Sequence, residues 1–215
     1  MSAPSLLPAR TRVKICGLRE PDHVRVAVEA GADAVGFVVA EGSPRAVELD
    51  RLPHLLRAVP PGVTPVAVLR NQPGHGALAV PGIVAQLHGD EDEAACQRAR
   101  EATGRPVVRG CAFDRRAIER WDVCEDVGLL LIDAPVPGSG HAFDHRELAA
   151  IRSRIRTPLA LAGGLDPTNV RAAIDAVQPW MVDVSSGVEA SRGIKDPSRI
   201  NAFLRAVRGD DVVRG

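Results

Sequence analysis

The chain has no tyrosine, two tryptophans and four phenylalanines among its 215 residues. Aromatic platforms for stacking nucleic-acid bases are therefore not on offer. It also lacks an excess of either charge. Twenty-seven Lys+Arg stand against 27 Asp+Glu, for a formal net charge of zero, so the basic footprint of a nucleic-acid or anionic-membrane binder is absent. No apolar run approaches the ~18 residues of a membrane span. The opening MSAPSLLPAR has two leucines between prolines and no apolar core, and does not read as a secretory leader. Cysteine is scarce: Cys16, Cys96, Cys111 and Cys124 form no CxxC pair. Neither a zinc framework nor a disulfide scaffold fits that spacing, and the expectation is reduced thiols in the cytoplasm. What these absences leave is a globular chain whose ligand is small and held locally, with no nucleic-acid or membrane partner and no metal.

What is present is alternation. Short β-branched runs at Arg12–Cys16, Ala32–Val38, Pro65–Leu69, Gly82–Leu87, Pro106–Arg109, Gly128–Asp133, Pro158–Ala162 and Met181–Ser185 read as strands. Amphipathic stretches lie between most of them. Glu20–Ala30 stops at Gly31, Asp90–Thr103 stops at Gly104, Pro167–Val177 has Asp166 as its expected cap, and Asp196–Val207 opens Asp-Pro. Repeated β–α units predict a parallel sheet with right-handed crossovers, and eight of them predict an α/β fold of the closed (β/α)8, or TIM-barrel, type. A doubly wound open sheet is the alternative, but its glycine-rich turn after the first strand is replaced by Cys16-Gly17. The third crossover, NQPGHGALAVPG, predicts an abbreviated third helix, and the fifth, Asp114–Asp126, a short one. Residues 1–11 are expected to be an N-terminal extension, 12–208 the barrel and 209–215 a disordered tail.

In such a barrel functional side chains sit where strands end. That rule selects Cys16, Arg70, His88, Asp133, Gly163 and the Ser185-Ser186 pair. Two segments, LALAGGLDPTNV and VDVSSGVEASRGIKD, have one form: an apolar strand, small residues with free backbone N–H groups, then a helix start. Side by side they would cradle a phosphate dianion through Gly163, Gly164, Ser185, Ser186 and Gly187. Asp183 sits next to the serines and is expected to fix that turn. Lys14 and Cys16 alternate onto one strand face, predicted to be the barrel interior. A cysteine is commonly inert core filler, but at a strand end its thiolate would act as base or nucleophile if its ordinary pKa of about 8.5 is held near neutrality. Asp133 closes the apolar run GLLLID. Paired with Cys16 it gives one candidate acid and one candidate base, the minimum kit for a proton-moving isomerase. Gly138-Ser139-Gly140 adds amides that would cover a ligand. Arg45 reads as a carboxylate clamp or a solvated charge, and His88 as a hydrogen-bonded group orienting a neighbour. His141 and His145 stand four apart with no third ligand, which does not support a metal.

The motifs together resemble the phosphoribosylanthranilate isomerase family over Val13 to about Arg208. They appear in order as VKICGL at 13–18, GADAVGFV at 31–38, SPR at 43–45 and QLHGDE at 86–91. LLID at 130–133 follows with GSG…FD at 138–144, then AGGLDPTNV at 162–170, DVSSGVE at 183–189 and GIKD at 193–196. The resemblance implies Cys16 as general base, Asp133 as general acid, Arg45 on the anthranilate carboxylate, and the glycine and serine turns on the phosphate. Residues 138–140 would fold over the ligand, with Lys14 and His88 in support. It implies a cofactor-free Amadori rearrangement of N-(5-phosphoribosyl)anthranilate in tryptophan biosynthesis, by a monomer or homodimer. Departures from the pattern are Arg70 after the third strand, His141, His145 and Arg192. Two other readings are a barrel that binds a phosphosugar without turnover, and a histidine-pathway-like or bifunctional isomerase. The retained acid and base argue against the first. Cys16, where a carboxylate would be expected, argues against the second.

Overall fold

Eight parallel strands close into a barrel in sequence order, β1 (Arg12–Cys16), β2 (Ala34–Val38), β3 (Thr64–Leu69), β4 (Val84–Leu87), β5 (Val107–Ala112), β6 (Val127–Asp133), β7 (Leu159–Leu161) and β8 (Met181–Val184). The structure is a computed structural model that describes residues 10–71, 75–133 and 145–209. Closure is made by β1 against β8, with Lys14 opposite Asp183 and Ile15 opposite Val184. Helices α1 (Pro21–Glu29), α2 (Leu52–Leu56), α3 (His75–Leu78), α4 (Glu93–Thr103), α5 (Arg115–Asp122), α6 (His145–Ile151), α7 (Val170–Val177) and α8 (Pro197–Arg208) occupy the crossovers. The third is the abbreviated one, at four residues. No helix among the described residues is long and apolar enough to cross a membrane.

Strand alternation sorts the side chains into two cores. The outer one, between strands and helices, holds Val13, Ile15, Val35, Phe37, Leu87, Leu130, Ile132, Val182 and Val184 with the helix faces. The inner one holds Cys16, Ala34, Val66, Val68, Val108, Leu129, Leu131, Ala160, Ala162 and Met181. Lys14 and Cys16 thus face the interior, and the same period carries Gln86, Asp133 and Asp183 inward.

Three boundaries lie three residues from expectation, each for a local reason. Asp166 does not cap α7. Its Oδ1 accepts from the N–H groups of Thr168 (2.7 Å) and Asn169 (3.2 Å), so residues 166–169 form a turn and the helix starts at Val170. Helix α4 starts at Glu93 rather than Asp90, because the carbonyls of Leu87, Gly89 and Glu91 are bound by the Arg109 guanidinium. Asp92 is the cap, accepting from Ala95 N–H. Strand β5 continues to Ala112, which makes Arg109 a mid-strand residue pointing outward. An additional antiparallel ribbon, β9 (Glu189–Ser191) with β10 (Ile194–Lys195), lies in the last loop before α8.

Candidate active site

The end of β1 carries Cys16, the base candidate, beside a buried ion pair. Lys14 Nζ lies 2.9 Å from Asp183 Oδ1, with the lysine side chain only 2% exposed, and the Cys16 sulfur lies beside the pair, both facing Gly36. Gly36 on the next strand leaves room for both side chains. A Cβ there would stand 2.9 Å from Cys16 Sγ and 3.1 Å from Lys14 Nζ. Burial alone would discharge Lys14, but Asp183 and Cys16 offset it and leave the pKa above the ordinary lysine value. For Cys16 the condition named above, a thiol held near neutrality, is not met in the free protein. Burial pushes it above the ordinary thiol value, and Lys14 only partly opposes this, so the free protein holds Cys16 as the thiol. Asp183 is also corrected. It faces into the barrel and pairs with Lys14 rather than fixing the serine turn.

Across the barrel, β6 ends on Asp133. His88, just past β4, approaches it with Nε2 3.2 Å from Oδ2, while Gln86 Nε2 lies 3.2 Å from His88 Nδ1. Gln86 and Asp133 thus hold the two ring nitrogens of His88 between them and fix the plane of the imidazole. The loop behind His88 is held from outside the barrel. Arg109 binds three of its carbonyls and stacks over Trp121, and the Glu91 carboxylate accepts from the N–H groups of Asn71 and Gly89, both at 2.7 Å. Arg70 is exposed, on the solvent side of the mouth. His145 opens α6. Gly138, Ser139, Gly140 and His141 lie outside the described residues.

The two turns expected to cradle phosphate do pack together. Gly163 and Gly164 follow β7 with φ of 85° and 66°, a left-handed pair suited to glycine. The short 3-10 helix Ser186–Val188 follows β8, and a Cβ on Gly187 would stand 1.9 Å from the Leu165 carbonyl oxygen, so the two loops are in direct contact. Ser185 turns its hydroxyl inward to donate to the Cys16 carbonyl at 3.1 Å, which ties the end of β8 to the end of β1.

Arg45 projects from the loop after β2 and is held by Glu189 along one edge of its fork. Nε lies 2.6 Å from Oε1 and Nη2 2.9 Å from Oε2. A guanidinium has a second edge, Nη1 with the other Nη2 proton, which Glu189 does not engage. Lys195 donates to the same Glu189 (2.8 Å) and to the Ser185 carbonyl (2.8 Å). Arg192, in the turn between β9 and β10, is exposed. Four partners escaped sequence reading: Gln86, Arg109, Glu189 and Lys195. Only Gln86 left a signal, as a polar residue on the inward phase of an apolar strand.

No described group of three or more His, Cys, Asp or Glu is arranged to hold a metal. The arrangement instead offers a thiol and a carboxyl group on opposite flanks of one mouth, an arginine tied along one edge, and paired glycine-rich turns.

Comparison with known proteins gives a concordant result. Residues 13–206 match the family model for N-(5'phosphoribosyl)anthranilate (PRA) isomerase. A curated relative of that name from Leptothrix cholodnii is 42% identical, over 96% of this chain and 94% of its own. A solved phosphoribosyl anthranilate isomerase in complex with reduced 1-(o-carboxyphenylamino)-1-deoxyribulose 5-phosphate superposes with a TM-score of 0.79 at 35% identity, covering 93% of this chain and 99% of that one. Monomers generated from the dimeric enzyme of Thermotoga maritima give 0.78 at 34% identity, with the same coverage of both chains. This chain belongs to the N-(5'-phosphoribosyl)anthranilate isomerase family.

Proposed function

We infer that the protein isomerises N-(5-phosphoribosyl)anthranilate to 1-(2-carboxyphenylamino)-1-deoxyribulose 5-phosphate, a step of tryptophan biosynthesis. The observation that carries the assignment of roles is the placement of Cys16 and Asp133 at strand ends on opposite flanks, both facing inward. The touching turns after β7 and β8 lie beside them. The amides of Gly163, Gly164, Ser186 and Gly187 would hold the phosphate, Ser185 would shape that turn, and Arg45 would hold the anthranilate carboxylate with its second edge.

With the substrate so anchored, Asp133 gives its proton to the furanose ring oxygen as the C1′–O bond breaks, and the anilino nitrogen's lone pair forms the iminium. Cys16 thiolate then takes the C2′ proton, and the C–H electron pair makes the C1′=C2′ bond of an enolamine. Tautomerisation moves a proton from O2′ to C1′ and yields the ketose. Each step is a proton transfer, so the chemistry calls for no metal or organic cofactor. Because burial raises the Cys16 thiol, the thiolate fraction and kcat/KM climb with pH through and beyond the ordinary thiol range. Lys14, the cation beside the sulfur, stabilises the thiolate when it forms.

A cytoplasmic location and a monomer or homodimer accompany this reading; light scattering distinguishes the two assemblies. The function is tested by mixing purified protein with freshly made phosphoribosylanthranilate and following loss of substrate fluorescence. Catalysed loss is expected, and its absence at micromolar enzyme would overturn the assignment. For Arg45→Ala the expected change is a raised KM with a smaller change in kcat; an unchanged KM removes Arg45 from the carboxylate site.

A further inference from the structure

Glu189 is one of few carboxylates in the barrel that are almost wholly buried, at 6% exposure, and the reaction as derived gives it no proton to move. Its environment is nonetheless the most heavily bonded at the mouth. Oε1 accepts from Arg45 Nε (2.6 Å) and Lys195 Nζ (2.8 Å), and Oε2 accepts from Arg45 Nη2 (2.9 Å) and the Gly193 N–H (3.1 Å). Its own carbonyl accepts from Arg199 Nη1 at 2.9 Å, which fixes the backbone from α8. One carboxylate therefore fixes two cations that reach in opposite directions. Arg45 comes from the loop after β2, where the anthranilate end would lie. Lys195 comes from β10 and also bonds the carbonyl and hydroxyl of Ser185, in the phosphate turn (2.8 and 3.2 Å).

We propose that Glu189 is a positioning residue joining the two ends of the substrate site, aiming the free edge of Arg45 at the substrate carboxylate and bracing the phosphate turn through Lys195. A lone arginine on a loop samples many rotamers. A bidentate partner removes that freedom and leaves one edge exposed in a single orientation. The β9–β10 ribbon has the role of presenting Glu189 and Lys195 to each other from either strand.

This inference rests on Arg45 as the carboxylate clamp, and the test separates the two. Wild type, Glu189→Gln, Arg45→Ala and the double variant are compared for KM and kcat, with Tm reporting folding and inorganic phosphate as a competitive inhibitor. Glu189→Gln keeps the shape but removes the charge; the expected result is KM raised about tenfold, with kcat changed less. In the Arg45→Ala background the same substitution should cost distinctly less, because the clamp it aims is already gone. The phosphate Ki should weaken in Glu189→Gln and stay near wild type in Arg45→Ala. Equal penalties in both backgrounds, or an unchanged phosphate Ki in Glu189→Gln, overturn the proposal. An unchanged KM in Arg45→Ala alone would instead refute the clamp. Glu189→Asp, one methylene shorter, should fail to rescue; wild-type KM in that variant would also count against the double attachment.

Discussion

The two flanks of the barrel mouth are built on opposite principles. On the β8–β1 flank, charge is met by charge: Lys14 pairs with Asp183 at 2.9 Å beside Cys16, and Glu189 bridges Arg45 and Lys195. On the β4–β6 flank, Gln86, His88 and Asp133 form a chain of hydrogen bonds with a neutral amide at one end, and the nearby cation, Arg109, faces outward behind the strand. The difference suits the two jobs assigned to them. A thiolate forming in a buried place needs a cation at hand, whereas Asp133 has to be held in one orientation towards the ring oxygen, which a chain of hydrogen bonds does.

The comparison breaks most completely at its two ends. Cys16→Ala and Asp133→Asn should each lower kcat by about 10²–10⁴-fold, the usual worth of a positioned acid or base, as measured by fluorescence loss under saturating substrate. A variant within threefold of wild type would strip that flank of its role. Next in size is the Lys14–Asp183 pair. Lys14→Met leaves a buried carboxylate unpaired and should destabilise the fold by about 3–5 kcal/mol in denaturant titration. Lys14→Met combined with Asp183→Leu should recover part of that loss. A double variant worse than the sum would contradict the ion-pair account. The smallest effect concerns acid. Burial opposes ionisation of Glu189, but Arg45 and Lys195 outweigh it and hold the carboxyl at about 2. A depressed carboxylate contributes stability that is fully present above its unfolded value and is lost as pH falls towards the folded one. Wild type should therefore lose more stability than Glu189→Gln between about pH 4.5 and 2; parallel acid-unfolding curves would remove the contribution.

Much of this architecture was legible beforehand because its signals are local. Eight apolar runs with helix starts and stops between them imply the barrel. The inward placement of Lys14 and Cys16 follows from a period of two counted from neighbouring aliphatics, whereas Asp133 closes a continuous apolar run that shows no such alternation. The glycine-serine turns were readable for the same reason, since bare amides after a strand belong to a few residues in a row. What stayed hidden depends on residues far apart meeting. Nothing in the chain says that Glu189 takes the fork of Arg45, 144 positions away, or that Asp183 faces Lys14 across the closure of the barrel. Helix starts were misplaced where a tertiary contact claims the first turn: at α4 by Arg109, and at α7 by the side chain of Asp166. A strand end suggests an exposed thiol, yet Cys16 is buried, with Lys14, Gly36 and Ser185 close around it.

The division of labour between the flanks rests on residue 16 being the base, and one measurement reaches that directly. The pH dependence of kcat/KM is recorded for wild type and for Cys16→Asp, which puts a carboxylate at the same strand end. The account predicts that wild-type kcat/KM is still rising above the ordinary thiol range, while the variant, slower throughout, is already level at neutral pH. Superimposable profiles would mean that the ionisation limiting the reaction belongs to another group, and Cys16 would not be the base.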